Sequence, residues 1–259
     1  MYYELHGLEQ VDAPTLVFSS GLGGSANFWQ SQLPELTERF RILIYDQAGT
    51  GRSPAKLSSD YSIKTMTDEL LTLLEELNIQ KCHLIGHALG GLVALQMADQ
   101  APEKLQSMVL INAWSSPNPH TLRCFNIRKA ILANCAPDIY LQMQALILYP
   151  PDWIANNIKA LEEEEAHLKA HFPDRDNLLA RISALSEFDI ESRLANITTP
   201  SLVVANKDDL LVPWQRSQVL SDALPNAQLR LMDYGGHAST ITAKDHFNTL
   251  LIDFLDAQN

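Results

Sequence analysis

Asp209 and His237 are the residues of this chain best placed for proton transfer. Asp209 stands in Asn206-Lys207-Asp208-Asp209-Leu210-Leu211-Val212-Pro213, directly after the apolar run 201–205. His237 stands in Tyr234-Gly235-Gly236-His237-Ala238, directly after the run 228–233. Short apolar runs bounded by turn residues read as buried strands. In open α/β sheets, functional groups gather beyond the carboxyl ends of such strands. An acid after one strand and a histidine after the next can therefore meet. An ionised Asp209 would hold the imidazole in one tautomer and stabilise its protonated form. Asp208, one residue earlier, is the alternative acid.

A third stretch would supply the reacting centre. Leu84-Ile85-Gly86-His87-Ala88-Leu89-Gly90-Gly91 follows an apolar run, 81–85, and opens a helix over 89–99. G-x-S-x-G at a strand-to-helix turn exposes a strained serine nucleophile. The glycines let strand and helix backbones pass closely. Here the central residue is Ala88, and a methyl group cannot attack a carbonyl. The frame points to acyl-type hydrolysis, while its centre excludes the covalent version. His87 beside it reads either as a substitute base or as packing beneath the turn. Arg123 and Arg128 lie on a helix expected over 121–134, and His120 directly precedes it. They would share a face and bind a small anionic substrate, since Arg meets carboxylates with two parallel hydrogen bonds. A solvated helix face is the plain alternative. Asp46 and Ser53 are expected to tie down their own turn.

These residues need a scaffold of alternating strands and helices. Strands are expected over 2–6, 15–19, 41–45, 81–85, 106–111, 201–205 and 228–233. Phe28, Trp29, Leu33 and Leu36 form one helical stripe, and Ser62 N-caps a helix over 63–77. Further helices are expected over 214–224 and 244–256. From 112 to about 196 the strand rhythm stops. Helical segments over 121–134, 138–148, 153–168 and 177–185 replace it, punctuated by prolines. The expected organisation is a core over 1–112 and 197–259, with a helical cap inserted at 113–196. Such alternation argues for an α/β fold with a mostly parallel sheet flanked by helices. No internal repeat is visible.

Composition narrows the partners. The chain has 259 residues and a formal charge of −12, which argues against nucleic acid and anionic membranes. No apolar stretch approaches the ~20 residues of a membrane span. The start of the chain lacks a basic and apolar leader, so a cytoplasmic location is expected. Cys82, Cys124 and Cys135 have no metal-ligand spacing and are expected to be reduced thiols. No metal and no cofactor is expected. The expected partner is a small-molecule substrate, with a homodimer left open.

Together, SGLGG (20–24), DQAGTGRS (46–53), GHALGG (86–91), DDLLVP (208–213) and GGHA (235–238) resemble the α/β-hydrolases over essentially the whole chain. The order elbow, acid, histidine is theirs. The resemblance implies Asp209 rather than Asp208 as the acid, from its D-x-x-V-P spacing. It implies Leu22 and Leu89 as backbone donors to an oxyanion. A narrower resemblance, to the RutD family of bacterial uracil breakdown, rests on the alanine at the elbow, HTLRCF (120–125), YPPDW (149–153), DNLL (176–179) and YGGHA (234–238). It implies a hydrolase of C–N bonds acting on 3-aminoacrylate or carbamate. Both compounds also decompose unaided. Two rivals remain: a serine esterase or amidase carrying an engineered Ser→Ala at 88, and a non-catalytic binding protein on a hydrolase fold.

Overall fold

The computed structural model describes residues 1–10 and 12–258. Seven strands form one sheet: β1 (Tyr3–Gly7), β2 (Thr15–Ser19), β3 (Arg41–Tyr45), β4 (Cys82–His87), β5 (Leu105–Ile111), β6 (Ser201–Asn206) and β7 (Ala227–Met232). Their order across the sheet is β1-β3-β2-β4-β5-β6-β7. Strand β1 runs antiparallel to β3, from Tyr3 opposite Tyr45 to Gly7 opposite Arg41; every other pairing is parallel. The mostly parallel sheet expected from the alternating pattern is the one that forms.

The sheet is buried on both faces because successive strand residues point to opposite sides. Val17, Leu43, Leu84, Met108, Leu110 and Val203 join one apolar cluster. Leu16, Phe18, Ile42, Ile44, Ile85, Val109, Leu202 and Val204 join the other. Helices α2 (Ile63–Glu76), α3 (Leu89–Gln100) and α8 (Trp214–Ala223) cover the first face. Helices α1 (Leu33–Leu36) and α10 (Lys244–Asp256) cover the second. Ser62 caps α2 by accepting the Thr65 N–H at 3.1 Å. The stripe through Phe28 and Leu36 is not one helix. It divides into a 3₁₀ turn, Ala26–Trp29, and the single turn α1. Pro34 lies in the first turn of α1; having no N–H, it starts a helix readily and cannot continue one.

Between β5 and β6 the chain forms α4 (Pro119–Asn134), α5 (Pro137–Leu148), α6 (Pro151–Ala170) and α7 (Arg175–Glu187). Three of these open on a proline, the residue whose missing N–H costs nothing in a first turn. Helix α7 opens on Asp174, whose carboxylate accepts the Asp176 and Asn177 N–H groups. Helix α4 packs against α5 and α7, and α5 against α6. A short helix α9 (Ser239–Thr242) precedes α10. No described helix is long and apolar enough to cross a membrane. Cys82, Cys124 and Cys135 are free thiols.

His83 is buried within β4, with Nδ1 2.7 Å from the Ser107 hydroxyl on β5. Burial pushes its pKa down from 6.5 to about 4. A histidine with a lowered folded pKa contributes stability that is complete above its unfolded pKa. That contribution is lost as pH falls from about 6.5 toward 4. His83→Asn can keep the Ser107 contact and cannot titrate. Urea unfolding at pH 7.5, 5.5 and 4.5 should show the wild type losing on the order of 2 kcal/mol more than His83→Asn across that window. Parallel losses in the two proteins would mean that His83 is not the group responsible.

Candidate active site

Ala88 lies at the turn between β4 and α3 with φ 47° and ψ −108°, a backbone conformation rare for a residue with a side chain. Its N–H donates to the Ile111 carbonyl at 2.8 Å. The crossing around it is close. A Cβ on Gly90 would stand 1.9 Å from the Ser19 carbonyl oxygen, and one on Gly86 2.3 Å from the Gly90 oxygen. Only glycine fits either position. The start of α3 is thereby seated against the end of β2 and the loop that leaves it. Among the described residues, neither the Leu22 nor the Leu89 N–H meets a protein acceptor.

The acid and the histidine do meet. His237 Nδ1 lies 2.7 Å from Asp209 Oδ2, and both side chains are buried. The other carboxylate oxygen of Asp209 accepts the Leu211 and Val212 N–H groups at 2.7 and 2.9 Å. Asp209 thus offers its second oxygen as an acceptor, an arrangement that selects the neutral tautomer with its proton on Nδ1 and leaves Nε2 as the outward nitrogen. The His237 ring lies 4.8 Å from the ring of His87, the residue before Ala88, which sets it beside the elbow. Asp208 has another task. Its two oxygens accept the Gly235 and Gly236 N–H groups at 3.0 and 2.9 Å, holding the turn that presents His237.

His87 is packed beneath the turn. Its Nε2–H donates to the His237 carbonyl at 2.8 Å, and its ring stacks on Phe28 with centroids 4.8 Å apart. Burial pushes its pKa down to about 3, so it is neutral at physiological pH. Asn112, with φ 49°, donates from Nδ2 to the same carbonyl at 2.8 Å. Its Oδ1 accepts the Asn206 N–H at 3.2 Å. Sequence reading missed Asn112: a single asparagine after a strand carries no pattern.

The loop holding Leu22 is braced from two sides. Gln47 Nε2 donates to the Ser20 carbonyl at 2.9 Å. Arg181, on α7, donates from Nε to the Leu22 carbonyl at 3.2 Å and pairs with Gln47 Oε1. Neither residue was legible as a site residue. Asp46 and Ser53 do tie their turn: Asp46 accepts the Ala26 and Arg52 N–H groups, and the Ser53 hydroxyl donates to the Asp46 carbonyl. The inserted helices also touch the histidine loop, where the Ala238 N–H donates to the Leu148 carbonyl at 3.1 Å.

The single face expected for His120, Arg123 and Arg128 does not form. His120 and Arg123 are exposed, whereas Arg128 is only 2% exposed. His120 bonds the Leu210 carbonyl through Nε2 at 2.6 Å. Arg123 lines a shallow outer depression with Pro119, Leu122, Asn126 and Ile127. Five residues advance a helix by about 500°, so Arg128 points about 140° away from Arg123.

A strained turn leading into a helix, two free backbone donors and a buried acid–histidine pair after later strands define the α/β-hydrolase class. The α/β-hydrolase fold family matches residues 14–141. A protein of Pseudomonas savastanoi pv. phaseolicola named "Putative carbamate hydrolase RutD" is 60% identical over 258 residues, covering 100% of both chains. One of the same name from Stutzerimonas stutzeri is 58% identical, covering 100% of this chain and 97% of its own. The crystal structure of a hydrolase from Pseudomonas aeruginosa PA01 superposes with a TM-score of 0.88 at 26% identity, covering 98% of this chain and 93% of the other. The chain belongs to the RutD family of α/β-hydrolases.

The two neighbouring aspartates should separate by phenotype. Asp208→Ala leaves two turn N–H groups without an acceptor and should lower stability by about 1–3 kcal/mol. Asp209→Asn should leave folding largely intact and remove activity, by favouring the wrong imidazole tautomer. Urea melts and turnover measured on both variants check this. The reverse pattern would exchange their roles.

Proposed function

We propose that this chain is a cytoplasmic hydrolase of bacterial uracil breakdown that cleaves a C–N bond in 3-aminoacrylate or carbamate, with water rather than a side chain as nucleophile. The observation that carries this reading is an assembled acid–histidine pair, 2.7 Å apart, beside an elbow whose side chain is a methyl group. His237 Nε2 is free to take a proton because Nδ1 is committed to Asp209. A water standing where a serine hydroxyl would otherwise end gives its proton to Nε2 as its oxygen bonds to the substrate carbon. The Leu22 and Leu89 N–H groups face the charge that develops.

With carbamate, water adds at the carbonyl carbon. His237 then returns the proton to nitrogen as the C–N bond breaks, leaving ammonia and bicarbonate. With the imine tautomer of 3-aminoacrylate, water adds at the imine carbon and its proton passes through His237 to nitrogen, giving a carbinolamine. A second transfer through His237, from the new hydroxyl to nitrogen, breaks the C–N bond, releasing ammonia and leaving an aldehyde. The name of the relatives supports carbamate. Both compounds need only modest help, which suits a site with a base and an oxyanion hole but no covalent route. Such residual machinery supplies roughly 10³- to 10⁴-fold over water in serine proteases.

Substrate decay, corrected for the enzyme-free rate, tests this. His237→Ala should lose most of the acceleration, roughly 10²- to 10⁴-fold. Fluorophosphonate probes should label no residue, since no activated hydroxyl stands at the elbow. Ala88→Ser should fold and gain weak activity on p-nitrophenyl acetate. A His237→Ala protein with the wild-type rate would replace the hydrolase by a ligand-binding protein, and stoichiometric labelling of any serine would end the water mechanism.

A further inference from the structure

Among the described residues, three buried donors on the inserted helices are without an acceptor. Arg128 on α4 is 2% exposed, and its Nε meets no partner. Tyr140 on α5 is 3% exposed, with its hydroxyl unpartnered. Arg181 on α7 is 1% exposed; its Nε and Nη2 are engaged at the Leu22 loop, but Nη1 is buried and free. The three share one region. Helix α4 packs on both α5 and α7, Arg128 Cζ lies 6.0 Å from the Tyr140 ring centroid, and Tyr140 joins one buried cluster with Leu178 and Ile182, the α7 residues that flank Arg181.

Among the described residues, no carboxylate lies within ion-pair distance of Arg128 or Arg181. A buried cation left unpaired is strongly destabilising, whereas one that meets a well-placed anion is not. Two guanidinium groups and a hydroxyl, all donors, match a ligand made of acceptor oxygens. Their location matters as much as their number. Arg181 donates to the carbonyl of Leu22, the residue whose N–H is assigned to the oxyanion in the proposed mechanism, which ties this group of donors to that loop.

We infer that Arg128, Tyr140 and Arg181 form a carboxylate subsite, and that the substrate is a short carboxylic acid whose reacting carbon is separated from its carboxylate. The inference rests on the hydrolytic reading above and sharpens it. 3-Aminoacrylate has its imine carbon two bonds from the carboxylate carbon. In carbamate the only carboxylate is the group that reacts, and it cannot occupy both places.

Propionate and propionamide, which share a shape and differ in charge, are the probes; ligand-observed NMR titration of the full chain reads binding without turnover. Propionate should bind at least about ten-fold more tightly than propionamide. Arg128→Gln should weaken propionate by roughly 10- to 100-fold, the worth of a charged hydrogen bond. Tyr140→Phe, which removes one hydroxyl and keeps the ring, should weaken it by roughly five-fold. Thermal melts check that each variant folds, and Tyr140→Phe carries the test if Arg128→Gln does not. In turnover of 3-aminoacrylate, Arg128→Gln should raise KM and leave kcat nearly unchanged. Equal binding of the two probes, or propionate binding unaltered in the folded variants, overturns the subsite. The two readings fail separately: a protein that binds propionate through Arg128 yet turns over nothing keeps the subsite and loses the hydrolase.

Discussion

The site depends on one close crossing. The first turn of α3 lies so near the end of β2 that a Cβ on Gly90 would stand 1.9 Å from the Ser19 carbonyl oxygen. That approach brings two chain segments, one beginning at Leu89 and the other containing Leu22, to the same edge of the sheet. It also forces Ala88 to φ 47°, which costs of order 1–3 kcal/mol for a residue with a side chain. The cost is offset by the Ala88 N–H bond to Ile111 and by a core in which β4 and nearly all of α3 are buried. The strain is therefore held by the centre of the sheet, the least deformable part of the molecule.

A second constraint fixes His237 relative to that crossing. The His237 carbonyl is gripped by His87 from the elbow and by Asn112 from the end of β5. Asn112 also accepts the Asn206 N–H at the end of β6, directly before the acid loop. Three strand ends thus share one small hydrogen-bond network. Asp209 adds two backbone bonds that leave its other oxygen for the imidazole. With each partner held by a different strand, the imidazole gains both a single tautomer and a single position.

Much of this was legible, for identifiable reasons. The parallel strands are continuous apolar runs because both their faces are covered, and such runs stand out. Asp209 and His237 were legible because each follows such a run, and the elbow because its glycines recur at fixed spacing. Asn112, Gln47 and Arg181 were not legible, since their meaning lies in partners 125, 27 and 159 residues away. The face assigned to His120, Arg123 and Arg128 failed for a geometric reason. A spacing of three keeps two residues adjacent on a helix, whereas a further step of five turns the third one inward. The stripe from Phe28 to Leu36 failed because apolar spacing is blind to the missing N–H of Pro34.

On the proposed reading, an elbow without a hydroxyl has a chemical logic for a C–N substrate. A serine adding to an imine carbon would form an O-alkyl carbinolamine on the enzyme. Loss of ammonia would then leave a covalent adduct that must still take up water. Covalent catalysis is useful when it divides one hard step into two easier ones. For a substrate that already reacts with water unaided, it adds a second step and gains little. A methyl group at position 88 removes that detour, while the N–H groups of Leu22 and Leu89 belong to the backbone and remain. On that reading, the same fold frame can serve direct hydration, because His237 and the backbone N–H groups of Leu22 and Leu89 are placed by loops and a helix start that follow strand ends, not by a nucleophilic side chain.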